Sequence, residues 1–188
     1  MMKKDLKKWI ERDGIKFLKE IGVKKDQNLL DFGCGEGHYA IPASKIAGKN
    51  GRVYALDKDK SILDKLKELF KRNNIENISL INGNSKIPLE GKLVDVVLCY
   101  DVVHYINKKE RGAVYKEVHE VLKEEGLFSV YPKHHKKDLP SNELADLDLE
   151  DIIKEIEGSG FALKHKFFKT LLHDEYYNEG WILNFRKR

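Results

Sequence analysis

Apolar residues follow two alternating patterns along this chain, one typical of buried strands and the other of amphipathic helices. Five short apolar runs predict strands, at residues 28–32, 52–57, 77–82, 93–100 and 126–131. Helical spacing predicts helices at residues 9–21, 39–47, 61–70, 108–122 and 149–157. Strands that alternate with helices are typical of α/β proteins built on a parallel sheet.

Three local signals refine this prediction. The continuous apolar run VDVVLCY at residues 94–100 is typical of a strand buried on both faces. Ser61 is the predicted N-cap of an amphipathic helix. Residues 161–172 and 180–185 have strand character with no helix between them, so we expect them to pair as an antiparallel hairpin. The predicted fold class is therefore α/β, a doubly wound Rossmann-like seven-stranded sheet, mostly parallel with an antiparallel C-terminal hairpin strand, and with helices on both faces.

The chain length fits a single domain. Its 188 residues are expected to form an N-terminal helical segment over residues 1–24 and a Rossmann-like core over residues 25–188. The net charge of +4 permits an anionic partner without requiring one. Cys34 and Cys99 are too few for a disulfide framework or a four-cysteine zinc site, and we expect no metal.

The hydropathy of the chain gives no sign of a membrane or of the secretory route. Residues 1–14 carry positive charge without the apolar core of a signal peptide. No window approaches the ~20 apolar residues of a membrane span. We therefore expect a cytoplasmic protein, in a reducing compartment and without a membrane partner.

The glycine-rich loop after the first strand is the strongest chemical signal. Gly33 allows a sharp turn, Gly35 lets the backbone approach a ligand, and Gly37 lets the following helix pack closely. A nicotinamide-dependent oxidoreductase normally has its third glycine one position later, where this chain has His38. That arrangement disfavours a dinucleotide site, while a glycine-rich turn without a ligand remains the simpler alternative.

An acidic residue at the end of the second strand adds to this signal. Asp57 follows Gly37 by twenty residues, and a carboxylate at this place can accept hydrogen bonds from both hydroxyls of a ribose. The alternative is a surface aspartate at a strand end. The two loops together favour a nucleoside-containing ligand.

Several segments resemble class I S-adenosylmethionine-dependent methyltransferases. LLDFGCGEGHY and VYALDKD are similar to the first two motifs of that family, and Gly83-Asn84-Ser85 stands where the family often has Gly-Asp-Ala. VDVVLCYDVVHYI, VLKEEGLFSV and GWILNFRKR are similar to later family segments. The resemblance runs from Leu29 to the end of the printed sequence and implies S-adenosyl-L-methionine as the cofactor.

The resemblance also implies which residues bind this cofactor. Asp31 and the first two glycines of the loop would border the methionine part, and Asp57 would hold the ribose. Lys58 would lie beside the adenine, and Asn84 would meet its amino group, where the family often has aspartate. Cys99 and its neighbours would offer backbone carbonyls to the methionine ammonium. The full cofactor-binding set is Asp31, Gly33, Cys34, Gly35, Gly37, Tyr39, Asp57, Lys58, Asn84, Ser85 and Cys99.

The sequence says less about the methyl acceptor. The family often has a histidine where this chain has His104, which would act as a general base or simply order the loop. Tyr39 and Tyr105 would wall the pocket or pack in the core. The loop at residues 131–143 is a candidate lid, and His134 within it has no nearby acidic or cysteine cluster to complete a metal site.

Several acceptor classes are disfavoured by missing motifs. No Asn-Pro-Pro-Tyr follows the fourth strand and no Pro-Cys pair occurs, which disfavours methylation of nucleic-acid bases at amino groups or at cytosine C5. A small-molecule acceptor is the leading prediction. An RNA or protein acceptor, and a non-catalytic module that only binds the cofactor, remain open alternatives.

Overall fold

The computed structural model describes residues 4–84, 86–136, 138 and 143–188. Its residues group into two compact units. We call residues up to 84 together with Thr170–Asn178 the N-terminal unit, and residues 85–169 together with Glu179–Arg188 the C-terminal unit. The expectation of a single domain stays a prediction.

The strands form a seven-stranded sheet in the order β3-β2-β1-β4-β5-β7-β6, which confirms the predicted fold class. The strands are β1 (Leu29–Phe32), β2 (Val53–Asp57), β3 (Ile78–Asn82), β4 (Val94–Tyr100), β5 (Leu122–Tyr131), β6 (Phe161–His173) and β7 (Tyr176–Lys187). The α-helices are α1 (Lys4–Lys8), α2 (Gly14–Ile21), α3 (Ala40–Ala47), α4 (Lys60–Arg72), α5 (Lys108–Val121) and α6 (Leu149–Glu157). No helix in the described part of the chain is long and apolar enough to cross a bilayer.

Parallel pairing in the N-terminal unit brings two strand ends together. β1 pairs with β2 from Leu29↔Val53 to Phe32↔Leu56, and β2 pairs with β3 up to Asp57↔Asn82. Since parallel strands end at the same edge of a sheet, the loop after Phe32 emerges beside Asp57. The register therefore creates the edge that the sequence motifs predict.

The N-terminal helices pack through one tryptophan. A π-helical turn (Trp9–Asp13) joins α1 to α2, and Trp9 is buried. A Cβ at Gly14 would lie 2.9 Å from the Trp9 indole ring, so glycine is required for this packing. The Trp9 indole N–H donates to the His38 carbonyl at 2.9 Å. This hydrogen bond fixes the backbone at the end of the glycine loop.

The C-terminal unit is built on β4, which is almost wholly buried as its apolar run predicts. β4 pairs in parallel with β5 and β5 pairs antiparallel with β7. β5 begins at Leu122, four residues before the predicted start at Gly126. The register shift between Val94 and Val96 accommodates the extra residues, and a Cβ at Gly126 would lie 2.5 Å from Leu122.

Two further expectations are corrected by the structure. Asp59, and not Ser61, caps α4, because its carboxylate accepts from the Ser61 and Ile62 N–H groups at 2.8 and 3.4 Å. Asp59 immediately precedes the first helical residue, Lys60, and has the extended backbone conformation that an N-cap requires. The strands were also expected to be joined through helices, but the described residues between Asn82 and Val94 contain none.

A buried polar chain crosses three neighbouring strands. Tyr100 Oη lies 2.6 Å from Ser129 Oγ, and Ser129 Oγ donates to Asn184 Oδ1 at 2.7 Å. All three side chains are buried. Buried polar groups are costly unless hydrogen-bonded, so this chain fixes the relative register of β4, β5 and β7.

We expect Ser129→Ala to lower the free energy of unfolding by about 1–3 kcal/mol, because Tyr100 and Asn184 each lose a buried hydrogen bond. Urea unfolding measures the change. Ser44→Ala is the matched control, since the buried Ser44 hydroxyl bonds only locally to the Ile41 carbonyl at 2.8 Å. An equal loss in the free energy of unfolding for both variants would contradict a stabilising role of the buried polar chain.

Candidate functional site

The glycine loop is tied to the second strand by backbone hydrogen bonds. The N–H groups of Gly33 and Cys34 both donate to the Leu56 carbonyl, at 2.8 and 2.9 Å. Gly35 has a φ of 48°, a conformation that favours glycine. A Cβ at Gly35 would meet nothing within 4 Å. The loop thus presents backbone toward open space at this position.

Gly37 serves packing, as the sequence predicts. Its φ is 81°, and a Cβ there would lie 3.1 Å from a methyl carbon of Leu66. A side chain at this position would crowd Leu66 of α4. Gly35 therefore leaves open space beside the loop, whereas Gly37 allows the loop to pack closely against α4.

The Asp57 carboxylate is held by two backbone donors. Oδ2 accepts from the Gly35 N–H and Oδ1 from the Asp59 N–H, both at 2.9 Å. A carboxylate offers about four lone-pair sites, so each oxygen can accept one further hydrogen bond. Asp57 is half-buried. Its orientation is therefore set before any ligand arrives, and two acceptors remain for a pair of hydroxyls.

Asn82 supports Asp57, although the sequence analysis did not identify it. The Asn82 side-chain amide donates to the carbonyls of Asp57 and Lys58, both at 3.1 Å. Its place opposite Asp57 at the end of a neighbouring strand was the signal that could have revealed it. Lys58 and Asn84 are exposed near this edge, and Ser85 lies outside the described residues.

Asp31 is a buried carboxyl group on β1, with 3% of its surface exposed. Burial raises its pKa to about 7, against the lowering effect of the Ala40 N–H and with a smaller upward effect from Asp57. Among the described residues, nothing donates a hydrogen bond to Asp31 Oδ2. A nearby cation would stabilise the charged form of a buried carboxylate of this kind.

Cys34 and Tyr39, which the family resemblance places at the cofactor, both have buried side chains. Burial raises the pKa of the Cys34 thiol above its usual range, and the charges of Asp31 and Asp57 add to this, so the thiol stays protonated. The Tyr39 hydroxyl donates to the Leu172 carbonyl at 2.5 Å, and its ring packs edge-on against Trp9. These contacts favour packing in the core, and not a place in the pocket wall, as the role of Tyr39.

The C-terminal unit places polar residues after β4. Cys99 is fully buried near the strand end, and Asp101 follows with a φ of 58°, a strained value for a side-chain-bearing residue. His104 is fully buried in the 3₁₀ turn Val103–Tyr105. Tyr105 is 63% exposed, so it does not belong to the core.

The loop after β5 contains an ion pair between the buried Lys133 and the partly exposed Asp138. Lys133 Nζ donates to Asp138 Oδ1 at 2.6 Å, and the His134 N–H donates to Asp138 Oδ2 at 2.9 Å. Burial would raise the pKa of Asp138, but the Lys133 and His134 donors hold it below its usual value. Residues 137 and 139–142 of the predicted lid lie outside the described residues. Within the described ranges no three His, Cys, Asp or Glu side chains cluster as metal ligands would.

Sequence comparison relates the chain to methyltransferases. Residues 29–126 match the family described as "Methyltransferase domain". A demethylmenaquinone methyltransferase of Staphylococcus aureus is 32% identical over 111 residues, which cover 58% of this chain and 44% of the relative. The chain thus spans less than half the length of the curated relatives it matches.

Solved structures share the fold over nearly the whole chain. A SAM-dependent methyltransferase from Aquifex aeolicus has a TM-score of 0.75 at 20% identity, covering 96% of this chain and 93% of that one. Magnesium protoporphyrin IX methyltransferase from Synechocystis, solved with bound SAM, has a TM-score of 0.67 at 18% identity, covering 95% and 78%. Likeness at these identities shows the fold.

The raised pKa of Asp31 makes stability depend on pH. Between about pH 4, the usual value, and pH 7, folded Asp31 keeps a proton that the unfolded chain has lost. The free energy of unfolding therefore falls as pH rises through this window. We expect Asp31→Asn to remove this fall. The free energy of unfolding of the variant, relative to that of the wild type, should therefore rise by up to about 4 kcal/mol between pH 4 and 7.

Urea unfolding at several pH values measures this difference. Asp146→Asn changes an exposed carboxyl group and should follow the wild type at every pH. A difference between Asp31→Asn and wild type that stays constant from pH 4 to 7 would contradict the assignment.

Proposed function

We propose that this chain, which belongs to the methyltransferase-domain family, moves a methyl group from S-adenosylmethionine to a small-molecule acceptor. Its family membership confirms the resemblance to class I S-adenosylmethionine-dependent methyltransferases. The observation that carries the proposal is the Asp57 carboxylate, held by the Gly35 and Asp59 N–H groups at 2.9 Å. Two free acceptor positions on a fixed carboxylate suit the two hydroxyls of a ribose.

The residues around Asp57 fit the remaining parts of the cofactor. The buried Asp31 carboxyl group, whose Oδ2 has no donor among the described residues, suits the methionine ammonium. The open space over Gly35 leaves room for the methionine chain, bordered by Gly33. We assign Lys58 and Asn84 to the adenine on the family resemblance.

The reaction asks little of the protein. S-adenosylmethionine supplies a methyl group already activated by its positively charged sulfur. The protein holds the nucleophile in line with the methyl carbon at about 3–3.5 Å and excludes water. As the bond from nucleophile to carbon forms, the electron pair of the broken carbon–sulfur bond stays on sulfur. Where the nucleophile carries a proton, a His104 nitrogen accepts it.

The acceptor is proposed from the relatives that the comparisons name. Demethylmenaquinone methyltransferase and magnesium protoporphyrin IX methyltransferase are named for small-molecule acceptors. A small-molecule acceptor for this chain is consistent with those names.

Both cysteines are buried thiols, which supports a reducing, cytoplasmic setting.

We expect Asp57→Ala to weaken binding of S-adenosylhomocysteine, the demethylated product, by about ten- to hundredfold. The loss follows because each charge-assisted hydrogen bond contributes about 1.5–3 kcal/mol. Isothermal titration calorimetry measures the dissociation constant. Asp64→Ala removes an exposed carboxylate that pairs with Lys60 and should bind as the wild type does; equal affinity for Asp57→Ala would remove the ribose assignment.

Transfer from radiolabelled S-adenosylmethionine to fractions of a cell extract tests the reaction itself. Label in the small-molecule fraction supports the proposal, and label in RNA or protein would replace the proposed acceptor class. Cofactor binding with no label in any fraction would indicate a non-catalytic module. Absence of binding at millimolar S-adenosylhomocysteine, or tight binding of NADH instead, would overturn the proposed function.

A further inference from the structure

Two buried histidines meet in the C-terminal unit. The ring centroids of His104 and His134 lie 4.7 Å apart with the planes at 83°, an edge-to-face contact. His104 is fully buried and His134 is 5% exposed. Buried aromatic rings in this geometry restrict one another's rotation. The His104 imidazole therefore contacts two rings, that of the adjacent Tyr105, at 4.1 Å between centroids, and that of His134, thirty positions away in the sequence.

His134 reaches this position through an unfavourable backbone conformation. Its φ is 60°, which costs a residue with a Cβ roughly 1–2 kcal/mol. Conformations of this kind persist only where the surroundings impose them, and they concentrate at functional sites. Contacts around His134 must therefore stabilise this backbone conformation.

Asp138 contributes to this stabilisation by accepting two hydrogen bonds. One carboxylate oxygen accepts the His134 N–H at 2.9 Å and the other accepts Lys133 Nζ at 2.6 Å. The Lys133 side chain is only 7% exposed. A buried charge needs a close partner, so Lys133 fixes Asp138, and Asp138 in turn fixes the His134 backbone.

We infer that His134 is the positioning residue for His104, setting the direction in which the His104 imidazole accepts a proton during methyl transfer. This inference rests on the proposed function, in which His104 is the proton acceptor. The Lys133–Asp138 ion pair holds His134 against His104. A misplaced base costs rate without weakening cofactor binding, since the cofactor is assigned to other residues.

The test compares His134→Asn with His135→Asn. Asparagine tolerates the left-handed backbone conformation and keeps the N–H that Asp138 accepts, so the loop should persist while the ring contact is lost. The neighbouring His135 is only partly buried and is the matched control. Asp138→Asn provides a second route, because it removes the charge opposite Lys133 without changing the size of the side chain.

The first readout is the NMR signal of the His104 ring, assigned by its loss in His104→Asn. We expect this signal to shift in His134→Asn, to shift less in Asp138→Asn, and to stay in place in His135→Asn. An unmoved signal in His134→Asn, or an equal shift in His135→Asn, would overturn the inference. This readout needs no acceptor and no methyl transfer.

The second readout separates kcat from cofactor binding, with labelled S-adenosylmethionine and the small-molecule fraction of a cell extract as acceptor. We expect His134→Asn to reduce the transfer rate by about 10- to 100-fold with unchanged affinity for S-adenosylhomocysteine. A wild-type rate despite a shifted His104 signal would refute a positioning role. A wild-type protein that fails to bind S-adenosylhomocysteine would instead refute the proposed function and with it this role.

Discussion

The hydrogen bond from the Gly35 N–H to Asp57 Oδ2 at 2.9 Å is the contact on which the candidate site depends. It joins the loop after β1 to the end of β2, and it depends on the parallel register of these strands and on a left-handed backbone conformation at Gly35 that favours glycine. The Asp59 N–H bond to the other oxygen completes the orientation of the carboxylate. A ligand with a diol would find its acceptors already placed.

Asp31 differs from Asp57, because one of its carboxyl oxygens, Oδ2, has no hydrogen-bond donor among the described residues. Its burial on β1 raises the pKa to about 7, so near neutral pH the folded protein bears a cost that an amide would avoid. A buried carboxylate that lowers stability in this way is typical of binding sites, where function is favoured at the expense of stability. β1 and β2 therefore differ in their carboxylates: backbone donors fix Asp57, whereas Asp31 Oδ2 has no donor among the described residues.

Much of the N-terminal unit was predictable because its signals are local. The strand at Leu29–Phe32, the glycine loop and Asp57 lie within thirty residues, and each is marked by residue type and spacing. The role of Asn82 depended on pairing between strands, and the N-cap at Asp59 depended on a choice between two neighbouring acceptors. The contact between His104 and His134 joins two loops far apart in sequence, and no spacing rule reports such a contact. The early start of β5 was hidden because Glu125 takes a left-handed φ of 58° within the strand.

A crystal structure with S-adenosylhomocysteine would test the central claim most directly. We expect the two ribose hydroxyls each to lie within about 2.6–3.2 Å of an Asp57 oxygen, while the Gly35 N–H keeps its bond to the same carboxylate. A ribose bound elsewhere, or an Asp57 side chain turned away from the sugar, would contradict it.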